Sequence, residues 1–510
     1  MLTITFLGAF HALGAELVCS DATFPPLPDV RISSVTYETT PAAHCRVAAV
    51  IGTETNFELL LPDSWNGKFV MGGGGGFVGS VVNTGLIYRP LQKGYATVGT
   101  DTGHQAHSLD ASWALNNLER VVSFGHQAVH RTAVTAKALT SSYYGRSISR
   151  SYFTGCSRGG GQALMEAQRY PEDFDGIVAG APAYNWTVEL GARNTRLNKA
   201  MYPDPGNLSV AVIGPNAQQL IGEAVMDRCD ALDGLEDGIL NNPMQCDFDV
   251  SALACDGEKT NACLSEQEVN AARAIYDDLY IQGELVFPGL PVGAELDPTG
   301  WRLWLTGGLD LSPDEFEFQE GTRTESEYPD PITPNAHFAF GNGVMKYLIY
   351  NNPDWTYVDY DFESFWSDTA RVAQTLNAAD PNLSAFRARR GKLLIWTGWG
   401  DMALSPYGTI KYFESVLKHD PSAAEDVRLF MMPGVMHCAG GPGPFIVDYL
   451  DTIDDWLETG NAPQQLTVFW LNDQGQLDGS RPVCAYPKVL TYGGSGDPRK
   501  AASFSCEQPK

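Results

Sequence analysis

Two residues that could carry nucleophilic chemistry each have a cysteine as immediate neighbour. Ser157 follows Cys156 in Gly155-Cys156-Ser157-Arg158-Gly159, and His437 precedes Cys438 in Met436-His437-Cys438. A serine hydroxyl is a weak nucleophile until an adjacent base takes its proton, and imidazole is the usual base. Ser157 and His437 lie more than half of the 510-residue chain apart. A disulfide between Cys156 and Cys438 would bring their Cα atoms to roughly 5.5 Å and hold hydroxyl and ring within reach of each other. Cys156 as the nucleophile is the weaker reading. It occupies a variable position of the pentapeptide, and in an exported protein it would pair with Cys438.

The flanking elements say how the serine is presented. Arg150–Thr154 reads as a short strand, and Gly161–Tyr170 reads as a helix stopped by Pro171. Gly-x-Ser-x-Gly between a strand and a helix is the nucleophile elbow of α/β-hydrolases, where the glycines permit the tight turn. In that fold the acid falls between Ser and His in chain order. Lys392–Thr397 is a compact apolar run, and Gly398-Trp-Gly-Asp401 follows it. Asp401 would thus sit past a strand's C-terminal end, where sites in open α/β sheets gather. The alternative makes it a turn residue or helix N-cap. Val427–Met432 is the next apolar run, with His437 five residues beyond.

The same alternation runs upstream. Lys68–Met71 leads into the glycines 72–76 and Phe77, and Tyr95–Thr100 is a further strand. Phe124–Tyr144 carries apolar positions at helical spacing, and Asp175–Gly180 is the next strand. Strand–helix–strand order of this kind implies a parallel sheet. From about 185 to 385 the pattern breaks, with scattered aromatics, Pro and Gly and no clear strands. The expected fold is α/β: an α/β-hydrolase core with a mostly parallel sheet and a large inserted lid domain. Residues 16–185 and 386–510 would form the core and 186–385 the lid. Residues 1–15 are expected to be a signal peptide with a short apolar stretch and small residues near a cut, although they lack a basic start. A buried first strand is the alternative.

Composition sets the compartment and excludes partners. There are 34 basic and 61 acidic residues, for a net charge of −27. Such a surface repels nucleic acid and anionic membranes. No stretch beyond the leader is apolar over the ~18 residues a membrane helix requires. Ten cysteines, an even number, suit an oxidising compartment. The protein is therefore expected to be secreted, extracellular or periplasmic. Asn185, Asn207 and Asn382 head Asn-x-Ser/Thr triplets and would be glycosylated in a eukaryotic host.

Cys156-Ser157, Asp401 and His437-Cys438 match the CS-D-HC arrangement of the tannase and feruloyl esterase family. The glycine run, Asp101-Thr-Gly-His104 and the Asp-rich loop near 230 match as well. The chain resembles that family over nearly its whole mature length. The resemblance implies a disulfide-linked triad, a calcium site in the lid and hydrolysis of aryl carboxylic esters. One departure stands out: many fungal members carry Gly-Cys-Ser-Thr-Gly-Gly-Arg at the elbow, where this chain has Gly-Cys-Ser-Arg-Gly-Gly-Gly. Proximity and the resemblance pair the remaining cysteines as Cys19–Cys45, Cys229–Cys246, Cys255–Cys263 and Cys484–Cys506.

Secondary roles follow. The oxyanion would be met by the Arg158 backbone N–H and by one from the glycine run, with Gly75 the chosen residue; a plain flexible turn is the alternative. Asp230-Ala-Leu-Asp-Gly-Leu-Glu-Asp-Gly-Ile239 concentrates carboxylates on a glycine-bent loop. Calcium takes six to eight hard oxygens. Asp230, Asp233 and Asp237 would supply side chains and, following the family pattern, Leu235 and Ile239 carbonyls; a solvated acidic turn is the alternative. His104 and His107 lack a third ligand and read as structural. Trp186, Trp301, Trp304, Trp355 and Trp366 fall in or near the lid, some facing an aromatic acyl group and most forming lid core. The function implied is a serine carboxylesterase for hydroxycinnamic esters, feruloyl-esterase-like. Its substrate would be a small aromatic ester, free or attached to plant polysaccharide. The rivals are a tannase acting on galloyl esters, a mono(hydroxyethyl) terephthalate-type esterase, and a calcium-stabilised binding scaffold without turnover.

Overall fold

The structure, a computed structural model, describes residues 18–308, 333–472 and 474–508; the expected leader lies outside them. Its centre is a nine-stranded sheet. The first seven strands are β1 (Val30–Glu38), β2 (His44–Ile51), β3 (Thr55–Pro62), β4 (Lys68–Gly72), β5 (Ala96–Thr100), β6 (Arg150–Cys156) and β7 (Gly176–Gly180). A small separate hairpin, β8 (Leu279–Ile281) and β9 (Glu284–Phe287), comes next in the chain. β10 (Lys392–Gly398) and β11 (Val427–Met432) then complete the sheet. The spatial order is β1-β2-β3-β5-β4-β6-β7-β10-β11. β1, β2, β3 and β5 pair antiparallel, while β5 through β11 in that order pair parallel.

The parallel strands are apolar on both faces, as a sheet covered by helices on both sides requires. β5, β7 and nearly all of β10 and β11 are buried throughout. The register pairs Cys156 with Gly180, Gly180 with Trp396 and Gly398 with Met432. The C-terminal ends of β6, β10 and β11 therefore lie side by side, and the segments leaving them carry Ser157, Asp401 and His437.

Several strand ends shift by one or two residues, and two helices differ from the sequence reading. The elbow helix begins at Arg158 and runs to Arg169, because Ser157 itself makes the turn. The helix expected from Phe124 is a π-helical turn, Ser123–Gln127, continued by the α-helix Ala128–Tyr144. Among the described residues between β7 and β10 none joins the large sheet, and the β8–β9 hairpin is the exception to the expected lack of strands. Helical pieces in this stretch, such as Trp186–Arg193, Pro298–Thr306 and Ala336–Gly343, bury Trp186, Trp301, Trp304 and Phe340. They share one apolar cluster with Phe77 and Phe124 and with Met402, Ala403, Leu404 and Met436, neighbours of Asp401 and His437 in the chain.

Five disulfides are present: Cys19–Cys45, Cys156–Cys438, Cys229–Cys246, Cys255–Cys263 and Cys484–Cys506. No helix among the described residues is long and apolar enough to cross a membrane.

Candidate active site

Ser157 has φ 61° and ψ −121°, a left-handed conformation that L-residues avoid unless their surroundings enforce it. Here three backbone bonds enforce it. Ser157 N donates to Gly180 O (3.0 Å), and the amides of Gly161 and Ala183 both donate to Ser157 O (3.0 Å each). The glycines are steric requirements. A Cβ on Gly160 would lie 2.1 Å from Gly180 O, one on Gly161 2.1 Å from Ala183 O, and one on Gly155 2.6 Å from Gly159 C. The elbow helix thus rests directly on the chain leaving β7.

His437 arrives from the other side. Cys156 and Cys438 are bonded with their Cα atoms 5.9 Å apart, so the residues next to each cysteine share one neighbourhood. The Nδ1–H of His437 donates to Asp401 Oδ2 (2.8 Å). The other oxygen, Asp401 Oδ1, accepts from Ala403 N (2.9 Å) and Leu404 N (3.0 Å), and the carboxylate is wholly buried. A carboxylate held this way fixes the imidazole's orientation and leaves Nε2 to face a reacting group.

Ser157 and His437 line one cavity together with Gly76, Arg158, Ala183, Trp186, Leu190, Trp304, Phe340, Ala403 and Leu404. Trp304 meets the His437 ring edge-on, centroids 5.1 Å apart. Apart from serine, histidine and arginine the lining is apolar, which suits a flat aromatic or aliphatic group. Of the five tryptophans singled out, Trp186 and Trp304 reach the cavity; Trp301 is core and Trp366 is exposed.

The donors expected for an oxyanion are partly committed. Gly74 N donates to Gln162 Oε1 (3.1 Å) and Gly73 N to Thr154 O (2.8 Å). Among the described residues the amides of Arg158 and Gly75 donate to nothing. Gly75 stands open, with no atom within 4 Å of a built Cβ, while its neighbour Gly76 lines the cavity. The Arg158 side chain turns away from solvent. Its Nη2 donates to Gly125 O (3.1 Å) and to Phe124 O, carbonyls of the π-turn, and the guanidinium lies over the rings of Phe124 (4.2 Å) and Trp186 (5.1 Å). Burial pulls this guanidinium down to about 9.

The two histidines of the 101–107 segment are structural here. His104 stacks on Trp113 at 3.8 Å and bonds Phe77 O through Nε2 (2.9 Å), and burial lowers it to about 3. His107 Nδ1 accepts from Leu109 N (3.1 Å).

In the acidic loop each of the three aspartates braces local backbone. Asp230 accepts from Gly238 N (3.0 and 3.1 Å), Asp233 from Leu235 N (3.0 Å) and Asn241 N (3.2 Å), and Asp237 from Ile239 N (3.2 Å) while pairing with Arg481. Burial, with Asp237 and Asp230 nearby, pushes the Asp233 carboxyl up to about 6. Among the described residues the carbonyls of Leu235 and Ile239 accept no hydrogen bond. Three carboxylates and two free carbonyls on one clamped loop fit a hard cation chemically. Among the described residues, the trio of ligand-type side chains whose ligating atoms all lie within 4.8 Å of one another is elsewhere, however: His130, Glu166 and Asp173, a possible metal-binding group. There His130 Nδ1 bonds Asp173 (2.6 Å), and burial and then Asp173 push the Glu166 carboxyl well up. The Lys137 ammonium beside it already supplies positive charge to both carboxyls.

Sequence reading missed the residues that shape the cavity, Leu190, Phe340, Ala403 and Leu404. The last two were reachable, because they follow Asp401 directly.

This sheet order, with an elbow after β6 and an acid and a histidine after β10 and β11, defines an α/β-hydrolase. Known proteins agree. The family described as tannase and feruloyl esterase matches residues 39–507. Mono(2-hydroxyethyl) terephthalate hydrolase of Piscinibacter sakaiensis is 31% identical over 91% of this chain and 85% of its own length. Feruloyl esterase B of Aspergillus niger is 31% identical over 91% and 86%. The solved feruloyl esterase B of Aspergillus oryzae superposes with a TM-score of 0.81 at 26% identity, covering 95% of this chain and 98% of that one. The chain belongs to the tannase and feruloyl esterase family, and it is a carboxylic ester hydrolase.

Proposed function

We propose that this is an exported serine esterase that cleaves esters of phenolic acids, with hydroxycinnamic (feruloyl-type) esters as the preferred class. The observation that carries the reading is the bond from His437 to Asp401, with His437 and Ser157 lining one apolar cavity beside the Cys156–Cys438 bridge. Ser157 Oγ attacks the ester carbonyl as its proton passes to His437 Nε2. The amides of Arg158 and Gly75 receive the negative oxygen, each such donor being worth about 3–4 kcal/mol. His437 then protonates the leaving alcohol. In the second half His437 deprotonates water, which attacks the acyl carbon and frees the acid with Ser157 restored. Asp401 keeps the ring oriented and stabilises its charged form.

The inserted residues 186–385 act as a lid that supplies Trp186, Leu190, Trp304 and Phe340 to the acyl group. Asp230, Asp233 and Asp237 with the carbonyls of Leu235 and Ile239 would hold a structural calcium, supplying stability and no step of the reaction. The five disulfides fit an oxidising location, where the ester could be free or linked to plant polysaccharide. A fluorophosphonate probe should label the wild type and not Ser157→Ala. Among methyl ferulate, methyl gallate and a terephthalate monoester, methyl ferulate should show the highest kcat/KM. A preference for gallate makes the protein a tannase, a preference for the terephthalate ester places it with the Piscinibacter sakaiensis enzyme, and absence of labelling removes the esterase mechanism.

A further inference from the structure

Asp401 orients His437, but something must orient Asp401. Its Oδ1 is held by the amides of Ala403 and Leu404, so the carboxylate is only as well placed as the loop Asp401–Ser405. That loop is gripped from the inserted segment. Ala403 O accepts from Arg193 Nη2 (2.7 Å) and from His337 Nε2 (3.1 Å). Ser405 N donates to Glu189 Oε1 (2.7 Å), and Ser405 Oγ donates to Gly289 O (2.6 Å). Glu189 and Arg193 pair with each other at 3.3 Å, one helical turn apart in Trp186–Arg193. Glu189, Arg193 and His337 are each about 1% exposed.

None of the three lines the cavity, yet their neighbours do. Trp186 and Leu190 come from the same helical piece as Glu189 and Arg193, and Phe340 lies one turn beyond His337. Each element thus offers apolar side chains to the acyl group and polar ones to the acid loop. A buried ion pair is weak evidence for stability, because well-packed apolar residues usually serve as well. What it does provide is direction. Among the described residues the one directed side-chain bond of Arg193 ends on the carbonyl of Ala403.

We propose that Glu189, Arg193 and His337 are positioning residues through which the inserted segment sets the Asp401 carboxylate, and with it the His437 ring. This rests on the triad reading above. It means that the segment covering the substrate also completes the catalytic geometry.

The test uses 4-nitrophenyl acetate, whose acyl group is too small to sense the acyl wall, on full-length protein verified as folded by near-UV circular dichroism. His337→Phe removes one donor to Ala403 O without touching a charge. Glu189→Gln with Arg193→Met removes the pair together, leaving no unpaired ion. Each should lower kcat about 10-fold or more, as small misplacements of catalytic groups do, with KM within about 2-fold. His337→Gln, which keeps an N–H donor, should recover most of the loss. Repeated on Asp401→Asn, the same substitutions should cost less than about 2-fold, because residues acting through one group are not additive. Wild-type kcat in folded His337→Phe and in the folded double variant overturns the proposal, as does a loss that stays full-sized on Asp401→Asn. Wild-type kcat in Asp401→Asn alone would remove the triad reading itself.

Discussion

Replacing Cys156 and Cys438 together by alanine separates the stability role of their bond from its catalytic role. The bond closes a loop of 282 residues. The chain-entropy relation gives about 19 cal/mol/K for such a loop, or about 5.6 kcal/mol at 25 °C, an upper figure because the unfolded chain keeps some structure. The bridges Cys229–Cys246 and Cys255–Cys263 inside it span only 17 and 8 residues and hardly change the logarithm. Unfolding entropy is about 2.1 cal/mol/K per residue, so for a 510-residue chain the melting temperature should fall by about 5 °C. Activity should fall further than that shift explains. Cys438 has a φ of 63°, and the bond is what pins its neighbour His437 against the β6 elbow. A slip of 1 Å costs on the order of 10²-fold. The assay is steady-state turnover of 4-nitrophenyl acetate at 20 °C, with fluorophosphonate labelling of Ser157 as a second readout. Wild-type kcat in a folded double variant would refute the view that the bond sets the Ser–His register. An unchanged melting temperature would refute the entropy argument.

Gly160→Ala would put a Cβ 2.1 Å from Gly180 O and 2.8 Å from Pro182 Cα; urea titration should show a loss of about 3 kcal/mol or more, with activity lost as Ser157 is displaced. Burial pushes the Glu189 carboxyl from 4.5 up to about 7, with Arg193 and Ser405 N–H pulling it back. A raised folded-state pKa means stability present below about pH 4.5 and lost as pH rises through about 7. The melting temperature of wild type relative to Glu189→Gln should therefore decline across that window, by no more than about 3 kcal/mol equivalent; a pH-independent difference would contradict it. Chelation should lower the melting temperature more than it lowers activity at 20 °C. Immediate loss of catalysis with unchanged melting would contradict the proposed structural role of calcium, and no effect on melting would remove the calcium reading.

Most of the parallel strands were legible because they are short apolar runs, a pattern that burial on both faces imposes; β6 carries Arg150, Ser151 and Thr154 and was read together with the elbow that follows it. β11 falls where its apolar run does, and β10 extends one residue beyond its run. The elbow was legible partly for a local reason too, since Gly155 meets Gly159 within one turn, whereas Gly159 and Gly160 answer to backbone at 73–74 and at 180–182. The inserted stretch was not, because several of its helical pieces are π-helical and short, although the helix Phe365–Leu376 does bury one face through Phe365, Thr369, Val372 and Leu376.

Residue types and chain order, which are local properties, were enough to nominate Ser157, Asp401 and His437. What grips the acid loop is a different matter. Glu189, Arg193 and His337 carry no motif, and their relation to Ala403 and Ser405 exists only once positions 66 to 216 residues apart have been brought together. A hydrogen bond depends on positions in space to within a few tenths of an ångström, and sequence spacing cannot encode that between distant segments.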